Sequence, residues 1–285
     1  MNIMSVPSVW FVMTGSDAPA STLETTARSL ELLEAIRRRG GATLSELAAE
    51  LSLATSTVYK HLATLESNGY LVKEGERYHV GFRFLHFGEH ARSRIPGNRS
   101  IDEAVQQLAE DTTEGVDFIV EDHGRIITVS ESYHKWVKYV EEDGDGYRAR
   151  TGTYYPIHTS ASGKALLATF ARERVESIVD RRGLAALTAN TITDEAALFA
   201  ELDRIRERGF AIGDEEYTEG LRSVGMAVHS PDGDPIGAMS VSGPSYRLTG
   251  SVLRERLPSA LRATIDDLET AIADEIGRSD DTADV

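Results

Sequence analysis

Residues 43–71 read TLSELAAELSLATSTVYKHLATLESNGYL, and this stretch decides the fold of the N-terminal part of the chain. Thr43 followed three residues later by Glu46 is a capping box, in which each side chain satisfies a backbone N–H that a helix start leaves open. The helix it opens, over 44–51, is short. A turn of three or four residues follows, and Thr55 or Ser56 is expected to cap a second helix running to about Ser67, closed by Asn68-Gly69. Val58, Leu62 and Leu65 share one face of that helix and dock inward, which leaves Ser56, Thr57, Tyr59, Lys60 and His61 on the others.

Upstream, Ala27, Leu30, Leu32, Leu33 and Ile36 recur at helical spacing and end in Arg37-Arg38-Arg39 and Gly40-Gly41, a helix C-terminus. Downstream, residues 70–72 read as a strand, 74–77 as a turn and 78–80 as the returning strand. Two helices across a tight turn and then a hairpin describe a winged helix-turn-helix. Hydroxyls and helix N-terminal amides suit phosphate oxygens, whereas longer side chains reach base edges. The expected DNA-binding set is therefore Thr55, Ser56, Thr57, Tyr59, Lys60 and His61 on the second helix, Lys73 and Arg77 on the wing, and Arg28 on the first helix. The alternative is a helix pair of some other α/β domain whose polar residues merely face water; capping box, turn, second helix and hairpin together favour DNA.

The 285 residues favour two domains, and 41% hydrophobic residues suffice for a substantial core. No apolar run has the length of a membrane span, so a soluble protein with no membrane partner is expected. Cysteine is absent, which excludes disulfides and thiolate chemistry and accords with a cytoplasmic location. Residues 1–20 lack the basic flank and sustained apolar run of a secretory signal; they are expected to be a disordered leader, or the result of a start set upstream of Met4 or Met13. Net charge is −16, and only five of the 30 basic residues are lysine. Such a surface keeps a protein hydrated in concentrated salt, so a halophilic, salt-in archaeal source is expected. Between residues 21 and 90 nine acids meet eight basic residues, so the N-terminal segment is spared the surface acid that the rest carries.

Residues 83–95 continue as a helix, stopped by Pro96-Gly97-Asn98, and are taken as a linker. An amphipathic helix over 101–111 opens the second domain. Period-two stretches at 116–120, 125–129 and 137–140 read as strands. Helices follow at 163–170, 172–180 and 194–208, then strands at 223–229 and 236–242 about the turn Pro231-Asp232-Gly233-Asp234, and a last helix over 253–276. Strands flanked by helices at both ends suggest an antiparallel α+β sensor domain.

Five blocks in order resemble the IclR-type regulators: TLSELAAELSLATSTVYKHLATLESNGYL, YHVGFRFLHFG, HTSASGKALLA, RERGFAIGDEEYTEGLRSVGMAV and GAMSVSGPSYRL. The resemblance implies an α+β chain with an N-terminal winged helix-turn-helix (21–82), a linker helix (83–97), a GAF-like effector-binding domain (98–276) and an acidic tail (277–285). It implies a homodimer or homotetramer on double-stranded operator DNA, controlled by a small metabolite such as an organic acid, an aromatic acid or a sugar derivative. It also places the effector pocket on Ala161, Ser162, Asp214, Ser223, Ser240 and Ser242, with Tyr147 as an apolar wall. Helix-start amides and serine hydroxyls suit a small anion.

A small-molecule-binding enzyme or sensor is the alternative, with His158, Ser162, Lys164 and Asp214 as an imagined nucleophile set. Gly163-Lys164 lacks the upstream glycine of a phosphate loop and Ser162 lacks the glycine pattern of a nucleophile elbow, so no catalytic residue is expected. His158 is expected to order the loop before its helix. His86 and His90 share a helix face but have no carboxylate or thiolate cluster beside them, so neither a metal nor another cofactor is expected.

Overall fold

The computed structural model describes residues 22–133 and 151–283, with side chains up to residue 277. The leader over 1–20, the strand expected over 137–140 and Tyr147 lie outside the described residues, as do most side chains of the tail. The chain divides into two compact units at Arg94/Ile95.

In the first unit, α1 (Glu24–Arg38), α2 (Leu44–Glu50) and α3 (Thr55–Ser67) surround a core of Leu32, Ala35, Ile36, Leu47, Val58, Leu62, Leu71 and Tyr78. The capping box forms as read: Glu46 N–H donates to Thr43 Oγ1 at 3.3 Å and Thr43 N–H donates to Glu46 Oε2 at 2.8 Å. Replacing Thr43 by alanine removes one of these bonds and is expected to lower the unit's unfolding stability by about 1 kcal/mol, read by thermal unfolding. The start of α3 differs from expectation. Its N-cap is Ala54, with no side-chain capping bond, so the hydroxyls of Thr55, Ser56 and Thr57 remain exposed and are not spent on the helix end.

Three strands form the wing: β1 (Ala42–Thr43), β2 (Leu71–Glu74) and β3 (Arg77–Val80), in the order β1-β3-β2. The pairing Glu74↔Arg77 leaves a two-residue hairpin, with Gly75 at φ +60°, a conformation that L side chains rarely adopt. The two-residue β1 carries no alternation to betray it in the sequence. Beyond the wing, α4 (Arg83–Arg92) ends three residues before its expected stop and has no buried residue. It is tied down through Tyr70, whose ring lies 5.3 Å from that of Phe84 and 5.9 Å from that of Phe87.

The second unit is a six-stranded antiparallel sheet in the order β6-β5-β4-β9-β8-β7. Its strands are β4 (Gly115–Asp122), β5 (Arg125–Tyr133), β6 (Tyr154–Pro156), β7 (Ala211–Asp214), β8 (Leu221–His229) and β9 (Pro235–Pro244). Alternation sends Val116, Phe118, Val224, Met226, Val228, Met239 and Val241 to one face, covered by α5 (Asn98–Thr112) and α9 (Leu257–Ala283). Ile119, Ile126 and Ala238 face the other side, covered by α6 (Ala161–Thr169), α7 (Arg172–Arg182) and α8 (Glu195–Arg208). The short edge strands β6 and β7 escape a period-two reading; Pro156 fits β6 because an edge strand tolerates a missing N–H. The last helix runs unbroken through Leu253, with one change of pitch. Pro258 removes one helical N–H, and the preceding turn, Val252–Arg256, widens so that Leu257 N–H reaches Val252 O.

Candidate functional site

Two surfaces follow from the fold, one in each unit. On the first, Thr55, Ser56, Thr57, Tyr59 and Lys60 are exposed along α3, Tyr59 at 58%. The one acid of α3 is Glu66, in its last turn, so the first three turns face outward without a negative charge. His61 is half-buried, and its Nδ1 is 2.8 Å from Ser29 Oγ, bracing α3 against α1. The remaining cations expected at phosphates are partly engaged within the protein. Arg28 pairs with Glu31 at 2.8 Å and Glu24 at 3.6 Å, and the Glu31 hydrogen bond raises its pKa. Arg77 donates to Gly41 O at 2.7 Å and stands 3.5 Å from Glu46, stapling the wing to α2. Lys73 lies 5.4 Å from the centre of the Tyr78 ring.

The second surface is the sheet face under α6. Ser160 caps α6, its Oγ accepting Gly163 N–H at 3.0 Å, and the first-turn N–H groups of Ala161 and Ser162 have no acceptor within the helix. This end of α6 lies against bare backbone. A Cβ on Gly225 would come within 2.5 Å of Ser162 N, and one on Gly213 within 3.4 Å of Ala161 N and 2.5 Å of Ser223 Oγ. Ser223 is 8% exposed and has no side-chain hydrogen bond among the described residues. Ser242 is its cross-strand partner, with Oγ 3.5 Å from Gly115 O, and Ser240 is the partner of Gly225.

Ala161, Ser162, Ser223, Ser240 and Ser242 are thus brought together; Asp214 is not. Along β7, Ala211 and Gly213 face α6, and alternation turns Asp214 to the opposite side. There it is exposed and bonded to Arg222 at 2.6 Å. The residue that sequence reasoning missed is Asp117. It accepts a hydrogen bond from Ser240, is paired across the sheet with Glu131, and is pushed up to about 6, mainly by burial. Its signal was a lone acid within the apolar run of 116–120. A cleft of roughly 630 Å³ between α5 and the end of β5 shares only Glu131 with this set.

The residues of the imagined nucleophile set serve other ends. Buried Lys164 donates to Ile212 O at 2.8 Å and to the Glu216 carboxylate. His158 is buried, with Nε2 3.1 Å from Ala185 O, and burial lowers its pKa, which keeps the ring neutral. It ties the start of α6 to the segment after α7. Among the described residues no cluster of three or more histidine, aspartate or glutamate side chains is arranged to hold a metal ion. No helix among them is long and apolar enough to cross a membrane.

The chain matches two family models, the IclR helix-turn-helix domain over residues 25–75 and the bacterial transcriptional regulator IclR C-terminal domain over residues 93–270. It is 29% identical to the probable HTH-type transcriptional regulator ArcR of Halobacterium salinarum, over 86% of this chain and 92% of that protein. It is 30% identical to the acetate operon repressor of Salmonella typhimurium, over 82% of this chain and 84% of that one. The Thermotoga maritima IclR crystal structure superposes with a TM-score of 0.70 at 24% identity, over 87% of this chain and 98% of that one, and shows the same fold.

Proposed function

The chain belongs to the IclR family of transcriptional regulators, and from that premise we propose that α3 reads operator DNA while a small organic acid, held where α6 meets the sheet, sets the affinity. The observation that carries the DNA-binding surface is the acid-free outward face of α3, led by hydroxyls left free by the Ala54 cap. The observation supporting the effector surface is the convergence of the first α6 amides with Ser223, which is buried and has no side-chain hydrogen bond among the described residues. A small carboxylate satisfies both at once.

The molecule acts as a homodimer or homotetramer in this reading. Phe82, Leu85 and Phe87 of the α4 region are 92%, 63% and 45% exposed, and Leu30 on α1 is 58% exposed. Phe82 and Leu85, three residues apart and so on one side of the α4 region, are large exposed apolar side chains of the kind a partner surface covers. The protein works in the cytoplasm, in molar salt, where counterion release contributes little and hydroxyl and base contacts carry a larger share of binding.

Gel shifts on DNA recovered by chromatin immunoprecipitation test this. Replacing Tyr59 by alanine is expected to weaken specific binding roughly tenfold or more, and replacing Lys60 by alanine to weaken it less, in about 2 M KCl. Full binding by the Tyr59 variant, or a steep salt slope in the molar range, defeats the reading of this face. Ser223→Val should abolish the response to carboxylates while leaving basal DNA binding intact.

A further inference from the structure

The face under α6 is chemically two-ended. Across one row of the sheet, Gly225 on β8 is paired with Ser240 on β9, Ser240 with Asp117 on β4, and Asp117 with Glu131 on β5. The α6 amides sit over the Gly225 end, so this end offers donors. The far end consists of acceptors. Asp117 is 7% exposed, and Glu131 has one buried oxygen, Oε2, with no partner among the described residues, while Oε1 takes Thr151 N–H at 3.2 Å. Thr128, which shares the side of β5 that Ile126 takes, is fully buried with its hydroxyl unpartnered among the described residues.

We infer that the effector is a short acid carrying a hydrogen-bond donor, a hydroxyl or a protonated amine, at the end opposite its carboxylate, and that Asp117 reads this donor. The inference rests on the face under α6 being the effector site. Two carboxylates on the far wall repel a second negative charge, so a diacid is disfavoured. Two strand spacings separate Gly225 from Asp117, about 10 Å. A ligand bridging the two ends lies over Ser240, whose hydroxyl already donates to Asp117, and a hydrogen bond at each end of that span limits it to a skeleton of about three carbons. Burial pushes the Asp117 carboxyl up, and a donor placed against it restores the interaction that its desolvation removed.

Calorimetric titration of the full chain with four length-matched probes tests the inference: propionate, 3-hydroxypropionate, 3-aminopropionate and malonate. At least one of the two donor-bearing acids is expected to bind ten-fold or more tighter than propionate, with malonate weakest; the hydroxyl and amine arms identify which donor is read. Asp117→Asn should cut that preference at least ten-fold and bring malonate up, since the amide offers its own N–H. Propionate or malonate binding as well as both donor acids, or an unchanged preference in Asp117→Asn, overturns the assignment. Ser223→Val separates the two levels. If it abolishes binding while Asp117→Asn changes no preference, Asp117 is wrong and the site stands. If probes bind equally with and without Ser223, or none binds the wild type, the site and the inference fail together.

Discussion

Replacing Lys164 by methionine is expected to destabilise the C-terminal unit by about 3–5 kcal/mol, seen as a lowered denaturation midpoint. Lys164 and Glu216 are 1% and 8% exposed, so the lost ammonium cannot be replaced by water. Glu216 would be left with its Oε2, already without a partner among the described residues, and an Oε1 reduced to a 3.4 Å contact with Asp214 N–H. Burial raises the Glu216 pKa even with the lysine present, outweighing the attraction of Lys164. Without the lysine it rises further. A carboxyl whose folded pKa lies above its unfolded value binds protons preferentially when folded, so the variant's deficit should shrink as pH falls. Adding Glu216→Gln should recover part of the loss at neutral pH. A Lys164→Met protein as stable as wild type at pH 8 would show that the pair is dispensable.

Asp117→Asn is expected to act in the opposite direction. The folded-state pKa of Asp117 is about 6 against an ordinary 3.8. At 1.36 kcal/mol per unit, ionising it costs the folded chain about 3 kcal/mol. With the folded value raised, this cost is absent below pH 4, grows between about pH 4 and pH 6, and is complete above. The asparagine variant should therefore be more stable than wild type at pH 7.5 by up to about 3 kcal/mol and indistinguishable from it near pH 4. Denaturation at both pH values measures this without any ligand. Parallel stability curves would mean that Asp117 is ionised at no cost. A residue kept at the expense of stability suits a binding role, since function and stability commonly conflict at sites.

Legibility followed the kind of signal each element emits. The helix pair over 43–71 announces itself locally, because a capping box and a helical apolar face are written within one or two turns. Long strands such as β8 and β9 show by alternation. β1, β6 and β7 have two to four residues each, too few for a period, and exist because a longer neighbour supplies their hydrogen bonds. The α6 start was legible through the HTSASGKALLA block. Asp214 was not placed correctly because one residue of register decides which face a strand residue meets, and Gly213 holds the inward position. Asp117 stayed hidden because its partners Ser240 and Glu131 are 123 and 14 residues away, and a sequence alone does not show that pairing.

The internal pairing of the arginines bears on how the N-terminal unit finds its target. Arg38 and Arg39 share Glu50 at 2.7 and 2.5 Å, Arg28 is held by Glu31, and Arg77 stands beside Glu46. Cations that already carry protein counter-charges offer little long-range pull on a polyanion. Encounter should then proceed at an unsteered rate, with brief stays on random sequence and few detours along the duplex. Discrimination in such a module is concentrated in dissociation: if α3 reads the operator as proposed, an operator is told from its surroundings by how long it is held.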